Sequence, residues 1–333
     1  MDHPTIVLLG DAGIAARSQV LAARLGDGFR LRVPTAFTRE VLAQEARDVE
    51  VVVASAVSPV VLRAAERLRL LQLWIAGVDH LKLDLIRERR IQVAAAHENA
   101  RSVAELALGL LLACTRGTSL ADRRLRQGDW TVGWVKSTPP RHVAFGKTVG
   151  ILGFGSIGRA FAELSGGFRF RLLAIKRRPD SSFRARYGLD FLGTFADLDR
   201  VLAESDYVLV ALPKTPETLG LLDADRLRKM RPTAWLIQVG RSEVIEEEAL
   251  YRACKEGWIA GAGIDVWYRY PPPEPCLPSR FPFHELENVV MTPHCAGWTL
   301  ESLDAQVAFV ADNLLRFRAG QPLRALVDLD LGY

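Results

Sequence analysis

The 333-residue chain has no long hydrophobic run, no paired cysteines and no dominant charge sign, and each shortage removes a class of function. Its longest apolar stretch, Leu106 to Cys114, falls far short of the ~20 residues that a helix needs to cross a bilayer. No membrane partner is expected. Only four cysteines occur, Cys114, Cys254, Cys276 and Cys295, and no two stand at a CxxC or other metal-like spacing. Reduced thiols in the cytoplasm suit that pattern better than a disulfide framework, and no metal site is expected. The 43 basic and 39 acidic groups nearly cancel, to +4, and the arginines are scattered rather than gathered into one stripe. Nucleic acid is therefore not an expected partner. No leader-like segment precedes the strand-like Ile6-Val7-Leu8-Leu9, which fits a cytoplasmic location. With 49% apolar and 25% charged residues the balance is that of a soluble globular protein, long enough for two cores.

What is present is alternation. Strand candidates Ile6–Leu9, Glu50–Ala54, Leu71–Ile75 and Ile91–Ala95 are separated by helix-like stretches at Gly13–Leu25, Thr38–Arg47 and Pro59–Leu68. This pattern predicts a parallel sheet with helices on its faces. A long amphipathic helix is predicted from Ser102 to about Gly128, opened by Ser102 and Glu105 as a capping box and stopped by the glycine. A loop, Asp129 to Gly146, carries Pro139, Pro140, Trp130 and Trp134. A second alternation follows, with strand candidates Thr148–Leu152, Arg171–Ile175, Tyr207–Ala211, Ala234–Val239, Gly261–Val266 and Val289–Thr292. A last helix, Leu300–Ala319, is predicted to end at Gly320. The fold class expected is α/β, with two doubly wound lobes.

One glycine cluster points to a ligand. Gly153-Phe154-Gly155-Ser156-Ile157-Gly158 matches GxGxxG, a weak motif alone but here following a buried-strand run and opening a helix. Gly153 permits the tight turn, Gly155 lets the backbone approach a pyrophosphate, and Gly158 lets helix and strand pack closely. The helix N-terminus, with Ser156 and Ile157, supplies positive potential. Where NAD enzymes usually carry an acid, about 20 residues on, this chain has Lys176, Arg177 and Arg178. A cation cannot accept a hydrogen bond from a ribose 2′-hydroxyl but can pair with a 2′-phosphate. NADP is favoured and NAD is possible; a solvated basic loop is the plain alternative.

Further along, Gly77-Val78-Asp79, Ser102-Val103-Ala104-Glu105, Arg126 to Trp130, Leu212-Pro213 with Thr215 and Thr218, Gly240-Arg241, Gly261 to Val266 and Thr292-Pro293-His294 occur in order. In these pieces the chain resembles the D-isomer-specific 2-hydroxyacid dehydrogenase family, over about residues 70 to 320. The resemblance implies a Rossmann-type cofactor domain, 99–298, inserted in a flavodoxin-like substrate domain, 1–98, to which a C-terminal helix and tail, 299–333, return. It places the active site in a cleft between the lobes, with a hinge near 98–103 and 296–300. It implies a homodimer, with the helix after Ser102 and the Trp130 loop at the interface, and a small-molecule acid as substrate. Arg241 matches the family's arginine, which holds carboxylate and carbonyl oxygen, and His294 matches its acid/base. Backbone amides near Ala76 and Gly77 are implied for the other carboxylate oxygen. Asp265 is implied beside the nicotinamide, Leu212 and Pro213 along the adenosine half, and Thr218, Val239 and Gly240 with the cofactor as well.

Three positions depart from the family. Gln238 and Ser242 stand where asparagine and glycine are usual, and Tyr270 stands where a glutamate partners the histidine. The formate dehydrogenase branch also lacks that glutamate, in a similar Asp265-Val266-Trp267 setting. Tyr270 can fix the imidazole tautomer by a hydrogen bond, but it brings no negative charge. Glu274 lies beyond Pro271, Pro272 and Pro273 and is expected to be too far along to substitute. His294 is then expected to titrate near an unperturbed ~6.5, with reduction fastest on the acid side of neutrality. Trp134, Trp267, Tyr270 and Trp298 are candidates for the substrate pocket or for core. The leading expectation is an NADP-preferring hydroxypyruvate/glyoxylate reductase. Formate- or phosphite-type oxidation and a catalytically weak regulatory protein are the alternatives.

Overall fold

Runs such as Val51-Val52-Val53-Ala54 and Leu70-Leu71-Gln72-Leu73 are buried along their whole length, which happens only where helices cover both faces of a sheet. The computed structural model describes residues 4–133, 141–270 and 274–333. These form two compact units, Met1–Asn99 with Trp298–Tyr333, and Ala100–Gly297.

The first unit holds strands β1 (Thr5–Leu9), β2 (Phe29–Arg32), β3 (Val51–Ala54), β4 (Leu70–Leu73) and β5 (Gln92–Ala95). They pair in parallel in the order β2-β1-β3-β4-β5, the flavodoxin-like arrangement. Alternate residues serve opposite cores. Leu8, Val52, Leu71 and Val93 join one, while Val7, Val51, Val53 and Leu70 pack against the helix Leu300–Arg318 through Leu303, Val307, Val310 and Leu314. That helix is capped by Thr299, whose side chain accepts the Ser302 amide, and Gly320 beyond it adopts φ +65°.

The second unit holds β6 (Thr148–Leu152), β7 (Arg171–Ile175), β8 (Phe191–Gly193), β9 (Tyr207–Val210), β10 (Trp235–Gln238), β11 (Gly261–Ile264) and β12 (Val289–Met291). Their order, β12-β11-β10-β9-β6-β7-β8, reverses between β6 and β9. This is the doubly wound dinucleotide-binding topology with one strand added, and its ligand position lies outside the carboxyl ends at the reversal. The α/β reading is borne out. The two strands missing from the sequence reading, β2 and β8, both lie at sheet edges. β2 is half-exposed and alternates with arginine, and β8 is three residues long.

The single helix predicted from Ser102 to Gly128 is corrected to two, Ala100–Arg116 and Thr118–Leu125, bent by 65°. Gly117, left-handed at φ +60°, breaks it. The capping box is also absent: the helix starts two residues earlier, and Ser102 Oγ instead donates to the Ala296 carbonyl at 2.6 Å. The first helix packs on β10 and β11. Gly263 allows the approach, since a Cβ there would lie 3.0 Å from Leu110 Cβ. Among the described residues no single helix is long and apolar enough to cross a membrane, and no group of side chains could hold a metal ion.

Candidate active site

In the second unit every segment expected to carry chemistry begins at the carboxyl end of a strand. The glycine loop follows β6, Lys176 follows β7, and Leu212 and Pro213 follow β9. Gly240 and Arg241 follow β10, Asp265 follows β11, and His294 follows β12. Parallel pairing therefore brings together residues that are up to 141 positions apart in the chain, counting from Gly153 to His294.

The glycine loop fits a dinucleotide. Gly153 has φ +98°, and a Cβ on it would stand 2.7 Å from the Ala211 carbonyl oxygen. A Cβ at Gly158 would come within 2.7 Å of the Gly153 oxygen, so the helix Ser156–Leu164 can start this close only with glycine. At Gly155 nothing lies within 4 Å of a built Cβ. The amides of Ser156, Ile157 and Gly158 belong to a first helical turn, which has no intrahelical acceptors. Open space over such amides at the positive helix end suits a pyrophosphate.

The cations after β7 are not equivalent. Lys176 is half-buried with Nζ 5.7 Å from the Phe183 ring centre. Desolvation lowers its pKa, the Arg159 charge adds to that, and Asp180 opposes both. Arg177 forms an ion pair with Glu217 at 2.7 Å, while Arg178 is exposed.

Two of the residues expected at the cofactor are deeply buried. The Leu212 side chain is 3% exposed and belongs to the core, so only its backbone is available to a ligand. The Thr218 hydroxyl, 2% exposed, donates to the Pro213 carbonyl at 2.6 Å and accepts the Thr215 amide at 2.8 Å. It shapes the loop that carries Pro213. Val239 is buried, and Gly240 packs so tightly that a Cβ would sit 2.6 Å from the Leu212 oxygen.

Arg241 is half-buried, with Nη1 donating to the Gly240 carbonyl at 3.0 Å. Its loop is held by two of the three departing residues, Gln238 and Ser242. Gln238 Nε2 donates to the Arg241 carbonyl at 2.8 Å, and its Oε1 accepts the Gly240 amide at 3.3 Å. Ser242 Oγ donates to the Trp267 carbonyl at 2.7 Å, tying the Arg241 loop to the segment that carries Tyr270. Beside it Lys214 and Glu243 pair at 2.8 Å.

His294 has φ +54°, a left-handed conformation that is uncommon for a side chain of its size. Asp265 holds it there. Expected at the nicotinamide, the Asp265 carboxylate is instead 1% exposed and accepts from Thr292 Oγ1 at 2.6 Å, the Cys295 amide at 3.0 Å and the Ala296 amide at 3.2 Å. Hydrogen bonds to a charged acceptor contribute ~1.5–3 kcal/mol each, enough to offset a backbone strain of order 1–3 kcal/mol. Nothing in the sequence separated bracing from ligand contact for this aspartate.

Tyr270 lies against the histidine, its Oη 2.6 Å from His294 Nδ1, and it accepts the Trp267 amide at 3.3 Å. Glu274 is exposed and makes no bond to His294. His294 does not keep an ordinary pKa. Although much of the residue is solvent-exposed, the surrounding protein desolvates the ring and lowers it; Asp265 pulls upward and Arg241 pushes further down. Desolvation raises the Tyr270 pKa. A hollow of about 300 Å³ beside Tyr270 is walled by Trp267, Arg269, Met291 and Pro293, but neither Arg241 nor His294 lines it. Trp267 is otherwise core, its Nε1 donating to the Thr292 carbonyl at 2.8 Å. Trp134 and Pro271 to Pro273 lie outside the described residues.

In the first unit Ala76 and Gly77 are half-buried just after β4, and Trp298 is exposed. The loop after β4 is braced by a cluster that sequence reasoning missed. Asp11, Ser55 and Trp74 follow the ends of β1, β3 and β4. The Asp11 carboxylate accepts Ser55 Oγ at 2.8 Å and Trp74 Nε1 at 3.0 Å.

Comparison with known proteins agrees with this geometry. A family model described as D-isomer specific 2-hydroxyacid dehydrogenase, NAD binding domain, matches residues 108–296, more than half the chain. The chain is 34% identical over 300 residues to the glyoxylate reductase of Pyrococcus furiosus, covering 88% of this chain and 86% of that one. With the glyoxylate reductase of Korarchaeum cryptofilum it shares 33% over 288 residues, 85% and 84% of the two. Among solved structures, the NADPH-dependent glyoxylate/hydroxypyruvate reductase of Sinorhizobium meliloti, in complex with NADP and malonate, superposes with a TM-score of 0.79 at 27% identity, covering 99% and 98%. The D-mandelate dehydrogenase of Rhodotorula graminis gives 0.82 at 25%, covering 98% and 97%. The chain therefore belongs to the D-isomer-specific 2-hydroxyacid dehydrogenases, nicotinamide-dependent oxidoreductases acting on the CH–OH group of 2-hydroxy acids.

Proposed function

We propose that this enzyme reduces a small 2-keto acid, with glyoxylate and hydroxypyruvate first in line and NADPH preferred to NADH. The observation that carries the reading is the placement of Arg241 and His294 after β10 and β12, on the same sheet edge as an open glycine loop. The named activities of the relatives support the substrate class.

The roles follow from the residues. Gly153, Gly155 and Gly158, with the amides of Ser156 and Ile157, would hold the pyrophosphate, and Lys176, Arg177 and Arg178 the 2′-phosphate. The bound nicotinamide supplies the hydride. Arg241 presents a planar fork that pairs with the substrate carboxylate and carbonyl oxygen, orienting and polarising the carbonyl. His294 delivers the proton to that oxygen. Asp265 keeps the imidazole in place, and Gln238 and Ser242 keep the arginine in place. The enzyme is proposed to act in the cytoplasm as a homodimer, a state supported by the exposed apolar side chains of Leu125 and Trp130, 48% and 67% accessible.

The test is a panel of 2-keto acids, with formate and phosphite added, assayed with both cofactors. Glyoxylate or hydroxypyruvate reduction should appear, and Arg241→Ala should abolish it while changing NADPH affinity by no more than about twofold, because the arginine meets substrate rather than dinucleotide. A wild-type protein that binds NADPH tightly and reduces nothing would favour a regulatory role. Oxidation of formate or phosphite alone would reassign the substrate.

A further inference from the structure

We propose that Tyr270 holds neutral His294 in the tautomer protonated on Nε2, and that the tyrosine's hydroxyl proton follows into Nδ1 as Nε2 protonates the substrate oxygen. The neutral imidazole, rather than the imidazolium, is then the working acid. This rests on the keto-acid reductase reading above and goes further, since it assigns the proton's route and a task to Tyr270 at the position where a carboxylate would be usual.

The argument is one of donors and acceptors. Tyr270 Oη accepts the backbone amide of Trp267 at 3.3 Å, and the same oxygen lies 2.6 Å from His294 Nδ1. A phenol has one proton to give. Were Nδ1 also protonated, Oη would accept twice and leave its own proton to solvent, which reaches the 53% exposed Tyr270, rather than to the nitrogen 2.6 Å away. With the hydroxyl donating to Nδ1, both bonds are complete. Nδ1 is then an acceptor, and the proton of a neutral imidazole must sit on Nε2, which bonds to nothing else among the described residues. A carboxylate at this position would do the reverse. It accepts only, so Nδ1 would keep a proton and Nε2 could donate only from the imidazolium.

The proton balance closes with one proton taken from solvent per turnover. Hydride arrival at the carbonyl carbon leaves charge on the carbonyl oxygen. The Nε2–H bond breaks toward that oxygen, while the Tyr270 O–H bond breaks toward Nδ1. The products are the hydroxy acid, a neutral imidazole protonated on Nδ1, and a tyrosinate; the starting pair is restored when Nδ1 returns its proton to the tyrosinate and a solvent proton is taken up at Nε2. Among the described residues of this unit, the charged groups acting on the pair are Arg241, Asp265 and Glu243, with the Cys295 thiol next in the chain to His294. Desolvation is the largest factor against the tyrosinate and Asp265 and Glu243 add to it, while the Trp267 amide and Arg241 favour it. Desolvation of the His294 ring disfavours its charged form, in line with a neutral imidazole in this hydrogen bond. Tyr270 acts through His294 and is a positioning residue in this scheme.

Two measurements decide it. In 15N spectra of the cofactor-free protein at pH 8, His294 Nδ1 should resonate as an unprotonated nitrogen and Nε2 as a protonated one, with the pattern reversed in Tyr270→Glu. In single-turnover reduction with NADPH between pH 6.5 and 9, the wild-type rate should vary by less than about threefold. Tyr270→Phe, which has no proton to pass on, should lose about tenfold per pH unit. A protonated Nδ1 in the wild type, or a wild-type rate that itself falls tenfold per unit, overturns the proposal. A protein with the Nε2–H tautomer that reduces no keto acid would uphold the hydrogen-bond assignment and sink the reductase reading alone.

Discussion

At the scale of single residues, Arg177 is contested. Its guanidinium pairs with Glu217 at 2.7 Å, a carboxylate 57% exposed, whereas the proposed 2′-phosphate would need the same donors. With Arg177 19% and Glu217 57% exposed, solvent still screens the pair, which contributes ~1 kcal/mol or less, against ~1.5–3 kcal/mol for a charge-assisted contact to phosphate. Two such contacts favour NADP over NAD by about 100-fold in kcat/KM, at ~1.4 kcal/mol per tenfold. Arg177→Ala/Arg178→Ala should erase most of that ratio. Glu217→Gln should raise it by about two- to fivefold, since a competitor and a repelling charge are both removed. Equal efficiency with the two cofactors in the wild type would defeat the assignment. Lys176, Arg177 and Arg178 were readable as a group from their position about 20 residues beyond the glycine motif, at the end of the next strand. That Glu217, 40 residues on, engages one of them was not, because the loop after β9 has to fold beside the end of β7 first.

At the scale of elements, strand ends decide where chemistry stands. Gly240 closes β10 against the Leu212 backbone, and a Cβ would sit 2.6 Å from the Leu212 oxygen and 2.9 Å from its nitrogen. Backbone atoms cannot turn aside as a side chain can. Gly240→Ala should therefore cost ~1–3 kcal/mol as overpacking, a Tm loss of roughly 1–4 °C for a protein of this size. It should also shift Arg241 and lower turnover at least about tenfold, since misplacement by ~1 Å can cost 100-fold. Calorimetry and steady-state kinetics check both, and an unchanged Tm with full activity would show that the loop relaxes freely. The central strands were legible because helices on both faces demand unbroken apolar runs. The edge strands β2 and β8 were not, because a strand paired on one side only needs no such run. The break at Gly117 was missed for a related reason: a lone glycine inside a helical pattern is usually tolerated, and here the left-handed turn it permits is what was used.

At the scale of the whole molecule, the proposed homodimer can be tested at Trp130, which is 67% exposed. If the segment around it forms the proposed homodimer interface, Trp130→Glu buries a charge against a second copy and should yield monomers in light scattering, with the far-UV spectrum unchanged. A wild-type protein monomeric at micromolar concentration would remove the idea. The sequence by itself determined the α/β class, the glycine loop, the family, and the arginine and histidine on which the proposed chemistry rests. These are set by local requirements: apolar period, a backbone angle only glycine tolerates, and a short motif at a strand end. Only the tertiary structure decided what Asp265, Thr218, Gln238 and Tyr270 do. Each of these side chains is defined by a hydrogen bond to a neighbouring segment. Residue type states how many protons a group can give or accept, but the packing of β10, β11 and β12 side by side determines which partner receives them.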